Sequence, residues 1–332
     1  MTARTPSVFR IGLIGTGGIS AAHLNCLRAR SDVTVTALCD INSERLQQRC
    51  KEYGGEGFTD YRVMLERTEL DAVWLCTPPD VRREPLMLCA QKHIAVLCEK
   101  PVERVEQRAR RIADELKTLH ARVQVGYVFR SMPVIQRLRE EMQGDTVHAL
   151  QSLYCCDMSL TRKFPEWFYH KEKSGGALVD QATHNLDLLR YLFGEVKEVH
   201  GVASNPVHAK KGHYTVDETL ALSLAFVNGM VATHTHTWVG DAWRNEMILS
   251  GEKRLYRLDL FAGALRIDEG GKSREFRQEQ RSIYEFENER FLAQIASDDW
   301  SGNPCDYEDS TKTLHLTLAC DKAVESGTKA II

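Results

Sequence analysis

Ile11-Gly12-Leu13-Ile14-Gly15-Thr16-Gly17-Gly18-Ile19-Ser20 is the stretch whose reading decides the fold. An apolar run gives way to clustered glycines and then to helical periodicity over 19–28. At such a junction Gly15 permits the tight turn, and Gly17 lets backbone amides approach a pyrophosphate with no Cβ in the way. The first turn of the following helix presents unpaired N–H groups and a partial positive charge to the phosphates. The third glycine of the usual fingerprint is replaced by Ser20, a residue still small enough for close helix–strand packing. A glycine turn alone is a weak signal. Here it stands at the first strand–helix junction, and Asp40 ends the next strand about 20 residues on, where the fingerprint wants an acid.

Outward from that turn, apolar strands are expected at 9–14, 34–39, 71–76, 94–98 and 123–128, alternating with helices at 19–28, 43–53, 85–91 and 105–120. Continuously apolar strands alternating with helices imply a parallel sheet covered on both faces. After about residue 127 the rhythm changes. A helix at 133–142, a strand at 147–156 and a helix at 177–193 precede strands at 198–203, 218–226, 230–237, 246–250, 255–260 and 264–268. A helix at 311–326 closes the chain. The turns Asn228-Gly229, Ser250-Gly251 and Gly270-Gly271 suit hairpins. The expected architecture is therefore an α/β Rossmann domain with a parallel doubly wound sheet over 1–126, followed by an α+β domain with a largely antiparallel open sheet over 127–332.

Composition narrows the partners. The 332 residues are 43% hydrophobic and 27% charged with net charge −3, which gives no reason to expect nucleic acid or a membrane surface. No apolar run is long enough to cross a bilayer, residues 1–10 lack a signal-like apolar core, and a cytoplasmic location is expected. The ten cysteines contain no Cys-x-x-Cys pair, and Cys39, Cys76 and Cys98 lie in strand-like runs, so they read as reduced core thiols. His234 and His236 share one face of a strand with no third ligand at suitable spacing. They read as sheet surface, and no metal is expected.

Two further segments carry chemistry. Glu99-Lys100-Pro101 follows a buried strand, and a lysine at that carboxyl end faces the crevice where such sheets bind ligands. Pro101 holds Lys100 out of helical geometry, although a lysine in isolation is usually just solvated. On the helix expected at 177–193, Leu178, Ala182, Leu186, Leu189 and Phe193 share one face, while Asp180, His184, Asp187 and Tyr191 share the opposite one. Periodicity by itself says only that this polar stripe avoids the core.

Taken together these features resemble the glucose-fructose oxidoreductase/inositol dehydrogenase/MocA family of NAD(P)-dependent oxidoreductases. The resemblance runs through the glycine turn, Thr77-Pro78-Pro79, Glu99-Lys100-Pro101, Arg130 and Gly175-Gly176…Asp180…His184…Asp187. It implies a dehydrogenase of a sugar, inositol or related polyol, with Lys100, Asp180 and His184 as the catalytic set. Gly15, Gly17, Gly18, Ile19, Asp40, Thr77, Pro78, Glu99 and Lys100 would hold the dinucleotide. Asp40 favours NAD over NADP, because an acid accepts from the ribose hydroxyls and repels a 2′-phosphate; Arg45 nearby softens that preference. Arg82 stands where many relatives carry histidine, and is either a surface arginine or a cation selecting a sugar acid. Arg130, Trp167 and Asp187 are further candidates for substrate contact, with Tyr169 beside Trp167. Ala177 replaces a third glycine at the helix entry. The resemblance also leaves open an NAD-using glycosidase, a non-catalytic dinucleotide sensor and bilin reduction. It implies a homodimer or homotetramer built through the second-domain sheet.

Overall fold

The first strand, β1 (Phe9–Ile14), is buried along almost its whole length. It pairs in parallel with β2 (Val33–Cys39) on one side and β4 (Ala72–Leu75) on the other. With β3 (Glu56–Phe58), β5 (Ala95–Cys98) and β6 (Val123–Val125) these make a six-stranded parallel sheet in the order β3-β2-β1-β4-β5-β6. The order reverses between β1 and β4, the point at which open α/β sheets leave a ligand crevice at their carboxyl edge. The computed structural model describes residues 8–159, 161, 164, 166–208 and 214–332.

The chain divides into two compact units: Met1–Ser131 with Arg281–Lys312, and Met132–Gln280 with Thr313–Ile332. A single cut after residue 126 therefore does not describe it, because the segment 281–312 returns to the first unit. The cause is visible in the core. The helix Ile283–Ser297 begins with a capping box, Ser282 and Glu285 satisfying each other's backbone N–H groups. Its Phe291, Leu292 and Ile295 are buried with Ile11, Leu13, Leu38, Trp74 and Leu97. Each such side chain contributes about 2 kcal/mol by leaving water, which outweighs the pull of chain continuity.

In the second unit β7 (Val147–Asp157), β8 (Val196–Ser204), β9 (Thr219–Phe226), β10 (Val231–Thr237), β11 (Val239–Gly251), β12 (Leu255–Asp259), β13 (Ala264–Glu269), β14 (Lys272–Arg277) and β15 (Ala330–Ile331) form one sheet. Its order is β14-β13-β12-β11-β7-β10-β9-β8-β15. Only β7 and β10 run parallel; the other neighbouring pairs are antiparallel. One face is buried, and the other presents Val202, Val231, Thr233 and Ile248 to the outside. His234 and His236 lie on the buried face, opposite Leu222 and Leu220 of β9, and so are not sheet surface. The error has a physical source. The outward positions of β10 are Val231, Thr233 and Thr235, β-branched residues that pass for a core face in sequence.

Candidate functional site

Gly15 has φ +90, and a Cβ there would come within 2.8–2.9 Å of Cys76 C, Cys76 O and Thr77 N. The glycine is thus demanded by the close approach of the chain leaving β4, and its N–H bonds Cys39 O at 2.8 Å. Gly17 and Gly18 differ: a Cβ at either would meet nothing within 4 Å. They stand at the start of the helix Gly18–Leu27, whose N-cap Gly17 makes no side-chain capping bond. The result is an open backbone cradle at a helix start, where the first amides have no partner within the helix, and a dinucleotide pyrophosphate fits it. Ser20 is buried and its hydroxyl donates to Gly17 O at 2.7 Å, so the replacement for the third glycine braces the turn. Ile19 is half-buried beside the cradle, and at the neighbouring strand end Thr77 is half-buried and Pro78 exposed.

Asp40 is buried and already well supplied with donors. Its Oδ2 accepts from Thr16 N, Thr16 Oγ1 and Arg45 Nε, and its Oδ1 from Asn42 N and Arg45 Nη2, all between 2.7 and 3.1 Å. Burial pushes this carboxyl up, but Arg45 and the surrounding N–H and O–H donors hold it below the usual carboxylate range. Arg45 thus takes up acceptor sites on both Asp40 oxygens.

Glu99-Lys100-Pro101 follows β5, and the Lys100–Pro101 peptide is cis. Glu99 does not point to an open cradle. It is buried, with Oε1 against His23 Nε2 at 3.0 Å and Oε2 accepting from Lys100 N at 3.1 Å. Lys100 itself is half-buried. Arg82 is neither a surface arginine nor an available cation. It is 3% exposed, and its guanidinium donates to the carbonyls of Thr77, Glu99 and Pro101. That withdraws the sugar-acid role and gives it a structural one, holding the Lys100 turn. Arg130 is similarly buried, donating to Pro304 O and to Asp309.

In the second unit Gly175 adopts φ +82, and a Cβ there would strike Val179 Cβ at 2.6 Å. The helix entered from this turn is not uniform. Leu178–Ala182 is a π-helical turn, followed by the α-helix Thr183–Phe193. The wide turn shifts the phase of the faces, and such turns often mark functional positions. Asp180, Gln181 and His184 are half-buried, whereas Asp187 is 1% exposed and accepts from Thr313 Oγ1 at 2.8 Å. The stripe expected from a uniform period is thus split, and Asp187 belongs to the interior. Sequence reasoning missed Gln181 and Tyr154. Gln181 Nε2 donates to Asp180 Oδ2 and its Oε1 accepts from Tyr154 OH, each at 3.2 Å. The Tyr154 ring in turn meets Trp243 and Phe261. Trp167 is 51% exposed, edge-on to Phe168.

Comparison with known proteins agrees with this fold. Residues 9–127 match the model of an oxidoreductase family with an NAD-binding Rossmann fold, and residues 135–257 match that family's GFO/IDH/MocA C-terminal domain. The chain is 28% identical to the rhizopine catabolism protein MocA of Rhizobium meliloti over 56% of its length and 58% of the relative's. It is 27% identical to a myo-inositol 2-dehydrogenase of Thermotoga maritima over 66% of each chain, and 27% identical to a D-glucoside 3-dehydrogenase of Escherichia coli over 69% and 70%. The match thus spans somewhat less than two thirds of the first two relatives. A levoglucosan dehydrogenase solved with NADH and levoglucosan superimposes with a TM-score of 0.85 over 98% of this chain and 99% of that one, at 20% identity.

Proposed function

This chain belongs to the GFO/IDH/MocA oxidoreductase family, and from that premise we propose that it is an NAD-dependent dehydrogenase of a sugar, inositol or related polyol. The observation that carries the proposal is the cradle at Gly17 and Gly18, open at both Cβ positions beneath an uncapped helix end. A nicotinamide dinucleotide held at the Gly17–Gly18 cradle would supply the acceptor for the hydride of the carbinol carbon. The chain's own residues manage the proton and the charge. His184, whose ordinary pKa lies near working pH, takes the hydroxyl proton. Lys100 stabilises developing alkoxide charge. Asp180, braced by Gln181, orients the substrate, and Trp167 offers an exposed ring face to the sugar.

Asp40 makes NAD the preferred dinucleotide, and Arg45 narrows the margin over NADP because it already neutralises that carboxylate. The relatives named above that carry an activity in their names are dehydrogenases, which favours net oxidation over the glycosidase and sensor readings. Among the described residues no helix is long and apolar enough to cross a membrane. Ten free cysteines suit a reducing cytoplasm. The outward face of the nine-stranded sheet, with Val202, Val231 and Ile248 exposed, is the surface we assign to a homodimer or homotetramer. The test of the function is a screen of sugars, inositols and sugar acids with NAD and NADP, read at the nicotinamide absorbance band. Net reduction with a neutral polyol is expected; cleavage of a glycoside with no net absorbance change would refute it.

A further inference from the structure

Behind the Lys100 turn lies a cluster of buried titratable groups with no assigned purpose. His23 on the helix Gly18–Leu27, Glu99 after β5 and Glu287 on the helix Ile283–Ser297 bring one ligand atom each to within 4.8 Å of one another. His23 is fully buried and Glu287 is 1% exposed. Gly126, after β6, leaves the room: a Cβ there would lie 3.3 Å from the Glu99 carboxyl. The other polar groups around the cluster are Cys76, Cys98, Arg82 and Lys100, with the Tyr284 ring edge-on to His23.

The hydrogen bonds fix most of the protons. Trp74 Nε1 can only donate, and it donates to Asn288 Oδ1 at 2.9 Å. Asn288 Oδ1 is therefore an acceptor, and His23 Nδ1, also 2.9 Å from it, must carry a proton. His23 Nε2 then faces Glu99 Oε1 at 3.0 Å with one proton between them. Whichever atom holds that proton, the His23–Glu99 pair has no net charge. Glu287 is different: burial, with Glu99 adding to it, pushes its carboxyl well above the usual range, so it stays protonated. Its Oε2 has no hydrogen-bond partner.

We propose that His23, Glu99 and Glu287 form a buried positioning cluster for Lys100, kept at zero net charge by a proton shared between His23 and Glu99 and a second proton on Glu287. Glu99 Oε2 accepts the Lys100 N–H, while Arg82 donates to the Glu99 and Pro101 carbonyls. The turn is thus held at its side chain and at its backbone. Because His23 lies on the helix that begins at the glycine cradle, the same contacts tie that cradle to the Lys100 turn. Ionisation of Glu287 would set two carboxylates against each other in a dry interior and loosen Glu99 from Lys100.

The inference rests on Lys100 acting in catalysis, and the experiment separates the two. Wild type, Lys100→Ala, Glu99→Gln and Glu287→Gln are compared on the alcohol that the substrate screen returns. Expected for Glu99→Gln is a loss in kcat of about tenfold or more with NADH affinity within about twofold. Expected for Glu287→Gln is disappearance of the alkaline limb of the wild-type kcat–pH profile. The infrared carbonyl band of a protonated carboxylic acid, present in wild type at neutral pH, should vanish in Glu287→Gln, a readout that needs no substrate and covers the case in which Glu99→Gln fails to fold. Stoichiometric metal in wild type that is lost in Glu287→Gln would overturn the proton assignment. So would an unchanged infrared spectrum. Normal turnover and pH profile in Glu99→Gln beside an inactive Lys100→Ala would overturn the positioning role alone. An active Lys100→Ala would overturn the catalytic reading, leaving the band and the metal analysis to decide the cluster.

Discussion

Gly15 and Gly17 sit two residues apart in one turn, and the structure gives them opposite kinds of necessity. At Gly15 an added Cβ lies 2.8 Å from Cys76 C and 2.9 Å from Cys76 O and Thr77 N. These are backbone atoms of the sheet edge, so the clash cannot be relieved by rotating a side chain. Overpacking of this kind costs about 1–3 kcal/mol, and holding alanine at φ +90 adds about 1–2 kcal/mol. Gly15→Ala should therefore lose about 2–5 kcal/mol, a large part of a typical stability of about 5–15 kcal/mol. Gly17 has φ −72, ordinary for alanine, and open space around its Cβ position. Gly17→Ala should leave stability within about 1 kcal/mol of wild type. A methyl group in the cradle would instead hold a phosphate off the amides. Losing one charge-assisted hydrogen bond costs about 1.5–3 kcal/mol, or about ten- to a hundredfold in affinity. Urea unfolding gives the first quantity and titration with NADH the second. Wild-type NADH affinity in Gly17→Ala, or wild-type stability in Gly15→Ala, would refute the division of roles.

Other expectations follow from the same contacts. Lys100→Ala and His184→Ala should each lower turnover at least a hundredfold, on the order of what a positioned acid–base group supplies, with dinucleotide affinity nearly intact. Near-normal turnover in either would show the role to be misassigned. Arg45→Ala frees Asp40 for a ribose diol, so the ratio of NAD to NADP efficiency should rise severalfold; a ratio that falls or stays fixed would count against that pairing. Burial pushes His234 down to about 4 and His236 well below its ordinary value, the neighbouring His234 adding to the effect. A depressed histidine pKa means that the unfolded chain binds the proton first. Stability should hold above about pH 6.5 and fall by about 1.4 kcal/mol per pH unit per histidine between there and pH 4. In His236→Phe, which keeps a ring against Tyr154, part of that slope should disappear from urea midpoints measured at pH 7, 6 and 5. Parallel slopes in the two proteins would contradict the assignment.

What the sequence made legible was local chemistry, and what it hid was packing. Gly15, Gly17 and Asp40 could be read because the turn and the strand end that need them lie within one strand–helix–strand unit. The helix at 177–193 was legible as a helix, but the π-helical turn at Leu178–Ala182 has no signature in hydrophobic period. The burial of Asp187 depends on Thr313, 126 residues away. Arg82 shows the same limit. Its neighbours Asp80 and Arg83 look like a surface turn, and only the folded chain brings three carbonyls around the guanidinium. β3 and β14 escaped notice for simpler reasons, the one having three residues and the other an almost wholly polar edge sequence.

The segment 281–312 shows how far one such omission reaches. Its Ser282-x-x-Glu285 box preceding an apolar run was a legible helix start, and overlooking it hid more than a helix. That helix carries Asn288, which accepts from both Trp74 and His23, and Glu287, which faces Glu99. A boundary drawn only where the strand–helix alternation ends assigns these residues to the wrong unit. It leaves Glu99 looking like a cofactor ligand and His23 like a helix side chain of no consequence. Once the segment is returned to the first sheet, the groups behind Lys100 all come from one compact unit. The charge balance around the lysine is then decided inside the dinucleotide-binding unit, by side chains up to 264 positions apart in sequence, His23 and Glu287.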